Sequence, residues 1–217
     1  MDSRHQSPET NDVMPPTQAI RATRSDGERT RREILATAAR LATVEGIRHL
    51  SIARLADEVG ISKSGLYAHF GSKEELQLAT IDTAEDIYGR DVYDRIVGVP
   101  AGLDGAIALA DAHLDHMRRR VFPGGCFFDA AAGDLALERG IVRDKVAAFQ
   151  EEWVARLRRN LEAAVVKGEL PPDADLVQIL YDITSYLVLA HSRLVFDGND
   201  SGLPLAARAV RIRLGRA

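Results

Sequence analysis

The chain has 217 residues, a net charge of −4, 46% hydrophobic but only 6% aromatic residues, and one cysteine. A single cysteine excludes an intrachain disulfide and fits a reducing compartment. No apolar run approaches the ~20 residues that span a bilayer. The length allows one or two small domains, and the composition fits helices packed through Ala, Leu, Val and Ile.

Residues 1–25 are polar, carry Pro8, Pro15 and Pro16, and have no periodicity, which predicts a disordered tail. They lack the apolar segment of a signal peptide, so a cytoplasmic location is expected. Arg21 and Arg24 are candidates for an arm along DNA, although a solvated tail is the plainer reading. A first helix is predicted over about Asp26 to Val44. Its buried stripe is Ile34, Leu35, Ala38, Leu41 and Ala42, with Gly46 at its end.

The stretch Leu50–Leu76, LSIARLADEVGISKSGLYAHFGSKEEL, carries the most information. Ser51 is placed to cap a short helix whose stripe is Ile52, Leu55, Ala56 and Val59. Gly60 suits a left-handed helix end. Ser62 then caps a helix from about Lys63 to Phe70, with Leu66 and Phe70 inward. Lys63, Ser64, Gly65, Tyr67, Ala68 and His69 remain on the outer face. Gly65 costs about 1 kcal/mol of helix propensity relative to Ala, which points to a close approach to the backbone there. Ser72 caps a further helix, Glu75 takes the N3 position of a capping box, and Lys73 lies in a first turn that favours phosphate. Helix, tight turn, helix is the helix-turn-helix, whose second helix enters the DNA major groove. The plainer alternative is a helical hairpin in a larger core, with Tyr67 half-buried and His69 merely solvated.

From about Asp26 to Ala79 the sequence resembles the tetracycline-repressor family of bacterial transcriptional regulators. The resemblance rests on the Ala56–Gly60 helix end, the Gly60-Ile61-Ser62 turn, and Leu66-Tyr67-x-His69-Phe70 followed by Ser72-Lys73-Glu74-Glu75-Leu76. It implies an all-α homodimer with a three-helix DNA-binding head and a helical-bundle body for effector binding and dimerisation. It also implies that Lys63–His69 is the recognition helix. Tyr67, His69 and Lys73 are expected on phosphates, Ser62, Lys63, Ser64 and Gly65 nearest the base edges, and Thr30 and Ser51 on the DNA backbone.

The charge divides accordingly. Residues 21–78 hold ten Lys/Arg and eight Asp/Glu, leaving 18 basic and 24 acidic residues elsewhere. A mildly basic head on an acidic body orients the protein toward a polyanion. The expected organisation is a tail over 1–25, a helix-turn-helix domain over 26–72, and an effector-binding and dimerisation domain over 73–217.

In the body, the helix from Lys73 is expected to run into the nineties with a weak point at Gly89. Helices follow over about Leu103–Arg120, Cys126–Asp134, Ile141–Lys167, Asp175–Phe196 and Leu203–Leu214, separated by Gly and Pro breaks. The helix after Asp175 is apolar on more than one face and needs cover on both sides. The resemblance makes the last two helices a dimer seam, with Leu176, Ile179, Ile183, Tyr186, Leu187 and Ala190 as its candidates. A two-fold dimer would read a pseudo-palindromic double-stranded operator.

The effector is expected to be a hydrophobic or aromatic small molecule held in the body. Candidate lining residues are Tyr88, His113, Met117, Phe122, Cys126, Phe127, Phe128, Phe149, Trp153 and Tyr181, each of which is also a plausible core residue. His113 and His116 lie three apart, and Cys126 and Asp129 would complete a soft metal site. That spacing fixes no third and fourth ligand, so the expectation is no metal and no cofactor. Cys126 as a sensing thiol is weighed against a small buried residue in the same way. No nucleophile elbow, P-loop or dinucleotide fingerprint appears, so no catalytic residue is assigned. Two other readings stay open: an enzyme or metal protein with a relic head, and a DNA-binding protein with no effector.

Overall fold

Two separate apolar clusters organise the chain, and two helices belong to both. A computed structural model describes residues 16–216. Among the described residues the α-helices are α1 (Pro16–Glu45), α2 (Ile52–Val59), α3 (Lys63–Phe70), α4 (Lys73–Tyr88), α5 (Leu103–Arg118), α6 (Phe127–Asp134), α7 (Ile141–Val166), α8 (Leu176–Phe196) and α9 (Gly202–Arg213). The expected all-helical architecture holds. None of these helices is long and apolar enough to cross a membrane.

The head core comprises Ile34, Leu35 and Ala38 of α1, Ile52, Leu55 and Ala56 of α2, Leu66 and Phe70 of α3, and Leu76 of α4, with Leu50 beneath them. Ala39 and Ala42 of α1, together with Ile81, Ala84 and Tyr88 of α4, instead enter the larger body core. The expected boundary after residue 72 is therefore displaced into α4, because Leu76 packs with the head. One turn further on, Ile81 packs with the body.

The expected tail is also too long. Helix α1 already includes Pro16, the first described residue, ten residues ahead of Asp26. Gln18, Ala19, Arg21 and Ala22 are good helix formers. Residues 1–15 of that tail, and the side chains of Arg21 and Arg24, lie outside the described residues.

Helix α4 ends at Tyr88, and the weak point at Gly89 takes the form of a π-turn over Gly89–Tyr93 followed by a 3₁₀ turn over Asp94–Ile96. Single π-turns widen a helix locally and are frequent beside functional sites. Here the turn buries Val92 and sets the Tyr93 ring against Tyr88.

Helices α8 and α9 form an antiparallel pair across one side of the body, tied by Arg213 to Asp182 at 2.6 Å. The seam residues expected from the sequence do not all point outward. Ile179, Ile183, Leu187 and Ala190 are buried within the chain, while Leu176 and Tyr186 are half-buried against its core. The apolar face left exposed is Val177, Tyr181, Val188, Leu189, Val195 and Phe196 of α8 with Leu205 and Ile212 of α9. The intramolecular core took the stripe that the sequence had offered to a partner, and the complementary stripe faces solvent.

Candidate functional site

In the head, local caps fix the two helices of the motif. Ser51 Oγ accepts from the Arg54 N–H at 3.2 Å to start α2, and Gly60 ends it at φ 71° with the Gly60 and Ile61 N–H groups both on the Ala56 carbonyl. Ser62 Oγ accepts from the Gly65 N–H at 3.1 Å to start α3. Leu66 and Phe70 anchor α3 inward, which leaves Lys63, Ser64, Tyr67, Ala68 and His69 exposed on one convex surface. A Cβ on Gly65 would lie 3.2 Å from Ser62 Oγ, so part of the reason for glycine there is the cap itself. Tyr67 is 56% exposed, too much for a core aromatic of this small head. Arg31 clamps the C-terminal end of α3, donating to the His69 carbonyl at 2.9 Å with its guanidinium over the Phe70 ring.

The predicted capping box on α4 is half formed. Ser72 Oγ accepts from the Glu75 N–H at 3.0 Å, but the Ser72 N–H bonds to the Phe70 carbonyl instead of to Glu75. Lys73, expected on phosphate, donates to the Arg48 carbonyl at 2.6 Å. Arg48 continues toward the body, its N–H donating to Asp134 and its guanidinium pairing with Glu138.

In the body, a cavity of about 250 Å³ lies among α4 to α8. Its walls are Tyr88 of α4, His113 of α5, Cys126 and α6 residues Phe128 and Asp129, α7 residues Phe149, Gln150, Trp153 and Val154, and α8 residues Thr184, Leu187 and Val188. Phe128 and Phe149 stack in parallel along one side. A groove of about 560 Å³ between head and body is larger but is lined chiefly by charged residues such as Arg48, Lys73, Glu138 and Arg143.

The polar side of the cavity is an ordered chain. Trp153 Nε1 donates to Tyr88 Oη at 2.9 Å, and Tyr88 Oη lies 2.7 Å from His113 Nδ1. The indole has no acceptor, so the Tyr88 proton is free to go to Nδ1. His113 Nε2 then faces Asp129 Oδ2 at 3.5 Å. Burial pushes the Tyr88 hydroxyl and the Cys126 thiol well above their usual ranges. Burial also disfavours the Asp129 carboxylate, but the adjacent His113 outweighs it and holds that carboxyl below its ordinary value.

The residues that match known families cover both regions. Residues 34–80 match the family described as "Bacterial regulatory proteins, tetR family". Residues 102–210 match the one described as "Tetracyclin repressor-like, C-terminal domain". The chain belongs to the tetracycline-repressor family. It is 21% identical over 157 residues to the HTH-type transcriptional regulator SrpR of Pseudomonas putida, spanning 72% of this chain and 70% of that one. It also superposes on a TetR transcriptional regulator from Chloroflexus aurantiacus with a TM-score of 0.78 at 26% identity, over 87% of this chain and 96% of the other. A cysteine-substituted form of the TetR-family regulator CifR, in complex with 26-bp double-strand operator DNA, gives a TM-score of 0.69 at 25% identity, over 82% and 93% of the two chains. The protein is therefore a DNA-binding transcriptional regulator of the helix-turn-helix type.

For this TetR-family regulator the cavity gathers only part of the set expected from sequence. His113, Cys126, Phe149 and Trp153 line it, as do Tyr88 and Phe128. Met117, Phe122 and Phe127 are instead fully packed in the body core. Tyr181 is 69% exposed on the outer face of α8. Gln150, Val154, Thr184 and Val188 were missed, and Asp129 and Leu187 had been expected only as a metal ligand and a seam residue. Gln150, Trp153 and Val154 follow the i, i+3, i+4 rule on α7, and Thr184, Leu187 and Val188 repeat it on α8. The histidine pair does not act together: His113 belongs to the cavity, whereas His116 Nδ1 lies 2.5 Å from Asp91 Oδ2.

Proposed function

We propose that this regulator is a cytoplasmic homodimeric repressor, without catalytic activity, that a small apolar or aromatic effector releases from a pseudo-palindromic operator. One observation carries the reading: Tyr88 on the cavity wall and Leu76 in the head core lie on the same helix, α4. A ligand that pushes on Tyr88 therefore pushes on the element that seats the head. An effector acts only through different affinities for the DNA-binding and released arrangements. The cavity speaks against an effector-free DNA-binding protein, which would have a filled body.

At the DNA, Lys63, Ser64 and Gly65 approach base edges with Ser62 beside them, while Tyr67 and His69 hold phosphates. Thr30 and Ser51 meet the flanking backbone. Lys73 reaches phosphate once its ammonium leaves the Arg48 carbonyl. The exposed apolar face of α8 and α9 supports a dimer, because it is a contiguous helical stripe of large side chains. Two heads related by a two-fold axis then meet successive major grooves about 34–36 Å apart.

The test is fluorescence anisotropy on labelled duplexes from the gene's own upstream region across a salt series. Saturable binding to one pseudo-palindrome is expected, weakened by salt and by Tyr67→Ala. Binding no tighter than to random duplex would remove the proposal's DNA half. A library of apolar ligands that never shifts the operator affinity would remove its effector half.

A further inference from the structure

We propose that His113, Cys126 and Asp129 form a binding site for a zinc-like divalent cation on the polar side of the body cavity. The three side chains come from α5, the N-terminal boundary of α6, and its first turn. One donor atom from each lies within 4.8 Å of the others. Tetrahedral zinc, with bonds of about 2.0–2.3 Å, holds its ligand atoms about 3.3–3.6 Å apart. The 3.5 Å between His113 Nε2 and Asp129 Oδ2 already has that spacing. With all three atoms inside 4.8 Å of one another, closing the remainder needs a movement of no more than about 1 Å, within the reach of a χ1 adjustment.

Three further features fit a cation. Asp129 Oδ2 is buried and makes no hydrogen bond of normal geometry among the described residues, His113 Nε2 facing it at 3.5 Å, so it keeps unused acceptor capacity. A buried carboxylate beside a thiol is costly alone, whereas a divalent cation with one carboxylate and one thiolate is neutral. The surroundings also supply an outer shell. Zinc at His113 Nε2 places the ring proton on Nδ1, which donates to Tyr88 Oη, and Trp153 Nε1 holds that oxygen from its other side. On binding, the Cys126 thiol gives its proton to solvent and the imidazole exchanges one tautomer for the other, so one proton is released per cation.

A mixed nitrogen, sulfur and oxygen set favours zinc and its borderline neighbours over magnesium or calcium. Three protein ligands leave a fourth position, and these three residues line the cavity, so that position faces it. Use of the fourth position by an effector rests on the effector reading above; the cation site itself does not.

The experiment uses the full chain, stripped with chelator and titrated with Co²⁺, and needs no DNA. Expected are one equivalent bound per chain, a near-ultraviolet thiolate-to-cobalt band, and strong visible bands of four-coordinate cobalt, all displaced by Zn²⁺ and unaffected by Mg²⁺. Cys126→Ser is expected to abolish the near-ultraviolet band. Asp129→Asn is expected to weaken Co²⁺ by roughly tenfold or more. Circular dichroism on both near-isosteric variants verifies the fold, and if one fails to fold the other decides. Cobalt binding without the sulfur band, or a band that survives Cys126→Ser, would overturn the site. Either result leaves operator binding and effector release to be judged by their own assays.

Discussion

Tyr88 and Tyr93 lie five residues apart, and their hydroxyls have opposite standing, which makes a paired Tyr→Phe experiment decisive. Tyr88 Oη accepts from Trp153 at 2.9 Å and meets His113 Nδ1 at 2.7 Å. Removing it strands an indole N–H and an imidazole nitrogen on residues that are 7% and 6% exposed. A buried polar group left without a partner costs about 1–3 kcal/mol, and there are two of them, partly relieved by water entering the cavity. Tyr88→Phe should therefore cost about 2–4 kcal/mol. For a chain of this length that lowers Tm by roughly 4–16 °C. Tyr93 Oη is buried with no hydrogen-bond partner among the described residues, so Tyr93→Phe removes an uncompensated desolvation and keeps the ring that Arg156 covers at 4.2 Å. It should be neutral or stabilising by up to about 1 kcal/mol. The assay is thermal and urea unfolding by circular dichroism at matched protein concentration. Equal shifts in the two variants, or a Tyr88→Phe protein that melts with the wild type, would refute the assignment of the hydrogen-bonded chain.

Three other outcomes are expected. A Cβ on Gly124 would lie 2.0 Å from the Thr43 carbonyl oxygen, a backbone atom, so Gly124→Ala should cost about 1–3 kcal/mol in urea unfolding, and wild-type stability would deny the close approach. Burial depresses the His116 pKa despite Asp91, and its Nε2 has no hydrogen-bond partner among the described residues. The unfolded chain therefore takes up this proton at a higher pH than the folded one. The stability this residue contributes is full above about pH 6.5 and declines as pH falls below it. Melting curves from pH 7.5 to 5.5 should show the decline, and His116→Asn should flatten it; an unchanged slope would exclude His116 as its source. If the proposed dimer forms through the exposed face of α8 and α9, wild-type protein should sediment at the mass of two chains and Leu189→Glu with Leu205→Arg should shift it toward one; a mass that the substitutions leave unaltered would refute a dimer through this face.

The head was legible because its determinants are local. Three serine caps, a glycine at φ 71° and a four-residue hydrophobic spacing specify α2, α3 and the start of α4 without reference to the body. The body helices were legible from Gly and Pro breaks: α5 to α9 differ from expectation by no more than two residues at either end, whereas α4 stops at Tyr88 instead of running regularly into the nineties. Which face each helix turns inward was less legible. Helix α8 is apolar nearly all round, so periodicity could not tell Leu187, which lines the cavity, from Leu189, which faces solvent. Phe127 and Phe128 are adjacent, yet only Phe128 reaches the cavity. His113 and His116 are three apart, about 60° around the helix, enough to send one to Tyr88 and Asp129 and the other to Asp91. Each such choice depends on a partner far away in sequence.

The cavity is lined by one of the two helices that frame the head and is linked to the other through a loop. On one side Tyr88 is part of α4. On the other, Cys126 ends the loop whose Gly124 N–H donates to Thr43 Oγ1 of α1 at 3.2 Å, and His191 of α8 bonds the Gly124 carbonyl at 3.0 Å. Lys73 lies fifteen residues before Tyr88 on α4, about 22 Å along the axis. A tilt of α4 by about 5° moves its head end by about 2 Å, and a dimer applies the displacement to both heads. A hydrogen bond to a base edge does not survive a shift of that size, whereas a phosphate contact through a long side chain can follow it. Release by an effector should therefore act on sequence-specific binding before nonspecific binding, leaving the effector-loaded protein with weak, salt-sensitive affinity for any duplex. By linkage, saturating operator DNA must weaken the effector by the same factor by which the effector weakens the operator. A ligand that fills the cavity yet binds equally well with and without operator does not regulate this protein.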